Sequence, residues 1–174
     1  LVLCGTFSNT FARSACENGV FMENFSADDL LHPSRFVNNN DLFSLCRTQP
    51  RERKNICYLY APTYYLRLHE NDYSGALQVC AKNAERAYRN SCARGVGSQA
   101  MKENISSPLF VIGVVCANGI RGQREPCIEG AVGLFINHHG ALTQAKQLCP
   151  QLARDDLGTC YNAIKTGEKL FAIP

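Results

Sequence analysis

The sequence predicts an all-α protein, a solenoid of about five disulfide-stapled αα-hairpin repeats. Three regularities predict it. Ten cysteines in 174 residues stand at intervals that alternate short and long: 12, 30, 11, 23, 12, 24, 11, 22 and 11. The first member of each short pair recurs after 42, 34, 36 and 33 residues, and self-similarity at such a period marks stacked supersecondary units. Other columns repeat with the cysteines. The residue before each first cysteine is aliphatic (Leu3, Leu45, Val79, Val115, Leu148), and the third residue after each second cysteine is Gly19, Tyr60, Gly95, Gly130 or Ala163, small in all but one case.

The spacing divides one domain, 1–174, into repeats at approximately 1–30, 40–70, 73–105, 107–139 and 140–172. The first half of each repeat is expected to be a short helix. "LVLC" supplies only a final turn; "NNNDLFSLC" offers Asn40 as a cap with Asp41 in the first turn; "SSPLFVIGVVC" offers Ser107 as a cap and Pro108 at the first helical position. The longest apolar run, Pro108 to Ala117, is too short to cross a bilayer and is expected as a buried helix, and no transmembrane segment is predicted. Pro150 directly after Cys149 cannot continue a helix, so the first helix of a hairpin ends near its cysteine. The second half opens at signals such as Pro126 or Asp155 and Asp156 and runs for about three turns. Between Cys16 and Cys46 the repeat is enlarged by "NFSADDLLHPSRFVNNNDLF", where His32-Pro33-Ser34 and Asn38-Asn39-Asn40 signal turns. An insertion of this kind becomes a loop on one face of a solenoid, a candidate for binding or a plain surface loop.

In an αα-hairpin the last turn of one helix and the first turn of the next lie within bridging range, which pairs Cys4–Cys16, Cys46–Cys57, Cys80–Cys92, Cys116–Cys127 and Cys149–Cys160. Neither the close C-x2-C spacing of zinc sites nor the C-x-x-C-H of covalent haem occurs. Each bridge closes a loop of about a dozen residues and contributes on the order of 3 kcal/mol on the chain-entropy model. Five bridges imply an oxidising location: extracellular, cell surface or periplasmic. The small residue after the second cysteine is expected to let the two helices of a hairpin approach closely. Tyr60, beside Pro62 and among Tyr58, Tyr64 and Tyr65, predicts a splayed second hairpin.

A hairpin of 33 to 36 residues with small residues at helix contacts and an internal bridge resembles the Sel1-like and tetratricopeptide repeat class, particularly its cysteine-rich Sel1-like members. "CENGVFM" and "CARGVGS" are also similar to cysteine-rich bacterial repeats with a C-x-x-G-[IV]-G-H motif, with Met22 and Ser98 in place of the final His. The resemblance implies a binding scaffold.

No catalytic residue emerges. The sequence contains no G-x-S-x-G, H-E-x-x-H, phosphate-cradling glycine loop or dinucleotide fingerprint. "GIRGQREP" has only two glycines and is expected as a turn, and pairing every cysteine leaves no thiolate nucleophile. No cofactor and no metal site are expected. His138 and His139 precede Gly140, where a helix should end, as solvated or capping side chains, with metal binding the alternative. His69 and His139 occupy equivalent positions two repeats apart, roughly 20 Å if neighbouring helices pack at about 10 Å. Asp28-Asp29 and Asp155-Asp156 are expected to cap helices or face water, with a carboxylate pair or cation site the alternative.

Charge is unevenly distributed. Eleven of the 18 basic residues (Arg13, Arg47, Arg51, Arg53, Lys54, Lys82, Arg86, Arg89, Arg121, Arg124 and Arg154) fall between paired cysteines, giving those segments a net +6 against −3 for the rest. Stacked turns would align these residues into a basic edge, either a solvated rim or a strip for an acidic partner, with Arg47, Arg51, Arg53, Lys54, Arg86, Arg89, Arg121 and Arg124 as the candidate contacts. Acidic glycans, other anionic surfaces or another protein fit that strip; nucleic acid does not, because the tyrosines that would stack bases sit on a helix after the loop. Asn24 ("NFS") and Asn104 ("NIS") match the glycosylation pattern. The apolar first turn and the absence of a polar cap at the last repeat predict stacking on a protein partner or on further copies. The expected function is a secreted or surface, non-catalytic scaffold for protein–protein interaction or assembly; the alternatives are a hydrolase acting on cell wall or glycan, and a metal or small-ligand binder.

Overall fold

The computed structural model describes residues 1–27, 33–38, 40–120 and 122–171, with side chains through residue 169. Asp28, Asp29, His32, Asn39 and Arg121, all singled out in the sequence, lie outside the described residues.

Nine α-helices are found among the described residues: α1 (Thr10–Ser26), α2 (Ser44–Arg47), α3 (Arg51–Leu68), α4 (Tyr73–Ala81), α5 (Arg86–Glu103), α6 (Pro108–Phe110), α7 (Arg124–His139), α8 (Thr143–Leu148) and α9 (Arg154–Phe171). A 3-10 turn, Leu3–Thr6, stands in for the first short helix, and α6 continues through a π turn, Val111–Val115, and a 3-10 turn, Cys116–Asn118. The helices form five pairs, each a short or single-turn element followed by a long one. Each pair is stapled by its own disulfide, with Cα–Cα distances between 5.3 and 5.7 Å. The short helices stop within two residues of their cysteine for local reasons: Pro150 follows Cys149, and the chain turns back within a few residues in the other pairs.

The long helices α1, α3, α5, α7 and α9 pack side by side in that order, and α4, the α6 segment and α8 each lie over the seam between two of them. Corresponding ends of neighbouring helices meet along this layer: Asn55 with Ser91 near the N-termini, and Ile136 with Gly167 near the C-termini. The long helices therefore run parallel. The core fills the space between the two layers in two clusters. The first is aromatic, with Phe21, Phe25, Phe43, Tyr58, Tyr64 and Tyr88. The second is aliphatic, with Val111, Ile112, Val115, Ile128, Val132, Ile136 and Leu148. They meet at α5, which gives Val96 to one and Ala100 and Met101 to the other.

The small-residue column acts elsewhere than expected. A Cβ built at Gly95 would overlap the carbonyl oxygen of Leu59 on α3, and one at Gly130 would overlap that of Arg94 on α5. Those glycines thus bring successive long helices into backbone contact, rather than the two helices of one hairpin. Tyr60 occupies the same column and faces α1, donating its hydroxyl to Asn18 Oδ1 at 3.1 Å. Tyr60 therefore acts at the α1–α3 seam rather than within the second hairpin, whose bridged cysteines stand 5.3 Å apart at Cα.

Two further expectations are corrected. The helix expected from Asp41 onward begins at Ser44, because Asn38 and Asp41 close a turn and the Asp41 carboxylate accepts from Arg47 instead of capping. The apolar run from Pro108 is not a buried helix: Val111, Ile112, Val115 and Cys116 are buried, but Leu109, Phe110 and Val114 face solvent. A two-layer solenoid gives its outer helices only one inner face, so an all-apolar sequence there must expose the rest.

Candidate functional site

The side of the long-helix layer turned away from the short helices is open, and a groove of about 700 Å³ crosses α1, α3, α5 and α7 there. A second hollow of about 320 Å³, sharing Arg94, Glu129, Gly133 and Asn137 with the first, carries it on to α9. The lining follows the repeat. Counted from the second cysteine, position +2 contributes Asn18, Leu59, Arg94, Glu129 and Asn162, and position +6 contributes Met22, Thr63, Ser98, Gly133 and Thr166. These positions share one helical face because they lie four residues apart.

The floor is shaped by the close helix approach at Gly95 and Gly130, which leaves backbone carbonyls near the surface. Ser98 Oγ donates to Gly130 O at 3.0 Å across the α5–α7 seam. Beside it the Arg94 guanidinium donates to Glu129 Oε2, with Nε at 2.8 Å, which cancels the two charges in the middle of the groove. At the α1 end, burial pushes the Tyr60 phenol pKa upward, so it stays protonated and serves as a donor. Thr63, Gln99, Asn137 and Asn162 add hydroxyl and amide groups and Glu23 and Lys102 single charges, while the larger share of the exposed lining is apolar, with contributions from Met22, Leu59, Leu134 and Ile136. Donors and acceptors thus stand in series along the groove, and every cysteine is bonded, leaving no thiol nucleophile.

The arginines of the anticipated basic edge mostly have partners within the chain. Arg53 Nε donates to Glu17 at 2.8 Å, joining α3 to α1. Arg124 grips the buried Asp156 with both Nε and Nη2, at 2.8 and 2.7 Å, joining α7 to α9. That carboxylate also raises the pKa of Arg124 through the hydrogen bond they share. Arg89 closes its hairpin turn by donating to the carbonyls of Asn83 and Ala84. Arg13, at the same place in the first repeat, donates to Phe7 O. Arg47 pairs with Asp41. Lys54 lies over the Tyr88 ring, 5.8 Å from its centroid. Arg51 and Arg86 are exposed, and Arg51 shares a shallow cleft between the second and third turns with Glu52 and Glu85.

The other singled-out residues fall as follows. His138 and His139 are exposed in the last turn of α7 before Gly140, which takes the left-handed conformation at φ 61°. His69 is exposed and stacks near Tyr65. No group of three or more His, Cys, Asp or Glu gathers into a metal-ligand cluster among the described residues. Asp155 is exposed while Asp156 is buried in its ion pair, so the two acids do not form a carboxylate dyad. The sequon residue Asn24 sits inside α1, bonded to Val20 O and to Ser34 of the insertion. Asn104 ends α5 and donates to Ala100 O and Tyr73 Oη.

Sequence reasoning did not single out the groove. Its one available signal was position +6, where Thr63, Ser98, Gly133 and Thr166 are all small or hydroxylated.

A disulfide-rich helical repeat scaffold is thus what the chain builds, and five bridges suggest an oxidising, extracytoplasmic compartment. No described helix is long and apolar enough to cross a membrane. Comparison with protein-family models, curated proteins and solved structures finds no match to the chain.

Proposed function

We propose that the protein is a secreted or surface-exposed, non-catalytic scaffold that holds an extended segment of a partner protein in the groove across its long helices. The groove carries this reading. Equivalent side chains recur on neighbouring helices 8–10 Å apart, roughly the span of three extended residues, so a strand-like segment meets the same type of contact once per repeat. Neutral hydroxyls and amides, with the central charges cancelled between Arg94 and Glu129, suit a peptide backbone better than a strongly charged ligand. The architectural resemblance to cysteine-rich Sel1-like and tetratricopeptide repeats supports the same reading. Five bridges hold the helix pairs rigid, so little ordering cost accompanies binding.

Panning a random-peptide library against the oxidised chain tests it. Gly133 lies in the groove and a Cβ there meets nothing within 4 Å, so Gly133→Trp fills the groove without disturbing the packing beneath. Selected peptides are expected to lose affinity at least about tenfold on this variant and to bind normally to Gln78→Ala on the short-helix side. A library that yields no binder, or binders indifferent to Gly133→Trp, overturns the reading.

A further inference from the structure

We propose that the outward face of α6 and its π turn is a self-association surface, on which a second copy of this chain docks through the same face. The three best-formed short helices can be compared position by position. Six and two residues before the first cysteine, α4 presents Ser74 and Gln78 and α8 presents Thr143 and Gln147, whereas the α6 segment presents Phe110 and Val114. Leu109, Phe110 and Val114 are 43%, 45% and 50% exposed. Three residues before the first cysteine, Gly113 also reaches the surface, where α4 has the buried Leu77 and α8 the exposed Lys146. Gly113 and Ala117 complete an exposed stripe without a charged or even polar side chain. A helix that is apolar on every side is one whose outer face expects cover.

Three features single out a second copy as that cover. A cleft of about 610 Å³ opens beside the stripe between α6 and α8, its walls including Ile105, Phe135 and Leu148. The same surface therefore carries both an exposed aromatic, Phe110, at the edge of the cleft and an apolar recess, so each copy can fill the recess of the other about a twofold axis. The rim beyond the recess carries Gln144, Gln147 and Gln151, with His139 the one titratable side chain in the lining. An amide donates and accepts, so such a rim pairs with its own copy, where a charged rim would repel it. A lipid surface would instead favour unpaired Lys and Arg around the stripe; no Lys or Arg lines the cleft, and Lys146 on α8 is paired with Glu168 at 2.9 Å. The face lies on the short-helix side, opposite the groove, so the dimer presents two open grooves; the inference does not depend on the groove's function.

Sedimentation velocity of the oxidised full chain over a concentration series is the test. A monomer–dimer equilibrium is expected, and Val114→Glu, at a solvent-facing position, is expected to raise the dimer dissociation constant about a hundredfold or more by bringing like charges together across the axis. Mixing Val114→Glu with Val114→Lys should restore association that neither shows alone, a rescue that a folding defect cannot produce. Gln147→Glu on the rim, which leaves the apolar stripe intact, should weaken the dimer about tenfold. A wild-type chain that stays monomeric, a dimer indifferent to these substitutions, or a monomer that instead floats with phosphatidylcholine vesicles would overturn the proposal.

Discussion

The first and second halves of the molecule build the same hairpin from different materials. Between α1 and α3 the contact is polar and padded: Tyr60 stands in the small-residue column, its hydroxyl on Asn18, while Arg53 reaches the neighbouring Glu17. Between α5 and α7 the contact is backbone on backbone, with Gly130 against Arg94 O and Gly97 against Cys127 O. The cores differ in step. Behind the padded seam lie Phe21, Phe25, Phe43 and Tyr58, the last stacked on Tyr88 at 4.7 Å; behind the tight seam lie Val, Ile and Leu. The rings are not confined to the padded seam, since Tyr58 and Tyr88 stack behind α3 and α5, where Gly95 meets Leu59 O. One repeat geometry thus tolerates two packing solutions, because the disulfide and the turn, rather than the core, set the hairpin.

That contrast can be broken at its tightest point. Gly130→Ala places a methyl group where the Arg94 carbonyl sits, and backbone cannot give way as a side chain can. The helices must part, at a cost of about 3 kcal/mol by chemical denaturation. The same substitution at Tyr60's seam has no counterpart, since the column there already holds a phenol.

Arg124→Met should have the next effect. It leaves Asp156, 3% exposed, without its partner. Breaking a buried pair on one side is strongly destabilising; discounted because Arg124 itself is partly exposed, the expected loss is about 2 kcal/mol. The double substitution Arg124→Met with Asp156→Leu should recover most of it.

Alkaline pH sharpens the comparison between halves. Burial raises the phenol pKa of Tyr58, Tyr60 and Tyr73 above the ordinary value. The folded state therefore holds protons that the unfolded chain releases. Stability is fully present below the unfolded value near pH 10 and falls as pH rises through the folded values. Because these tyrosines belong to or border the aromatic half, tyrosine absorbance and circular dichroism should show alkaline unfolding that Tyr60→Phe diminishes.

The smallest expected effect has the opposite sign. A Cβ at Gly19 meets nothing within 4 Å, since no helix precedes α1 in the described layer. Gly19→Ala should stabilise the chain by about 0.5 kcal/mol through helix propensity alone, measured by thermal denaturation. One column, two glycines and two signs of effect isolate the role of the neighbouring helix.

Much of the fold was legible because covalent spacing is one-dimensional. The intervals between Cys80 and Cys92, or between Cys149 and Cys160, specify loop lengths directly, and Pro108 and Gly140 mark helix ends by local sterics. The site was much less legible. Arg13 and Arg89 look like surface charge in a string of letters, yet both donate to carbonyls of their own turns. Glu129 and Arg94 are 35 residues apart and become partners only when α5 and α7 lie side by side.

Pairing within hairpins and the alternation of short and long helices follow from the amino-acid string, because both depend on residues about a dozen apart, and the five bridges suggest an oxidising compartment. Which faces meet, which arginines are consumed and where solvent remains were settled by the stacking of successive repeats. Packing acts between residues more than thirty positions apart, through the depth of a glycine contact or the width of a phenol. A periodic pattern constrains such distances without stating them. For that reason the groove, and the uncovered apolar face of α6, became visible only once the helices were set beside one another.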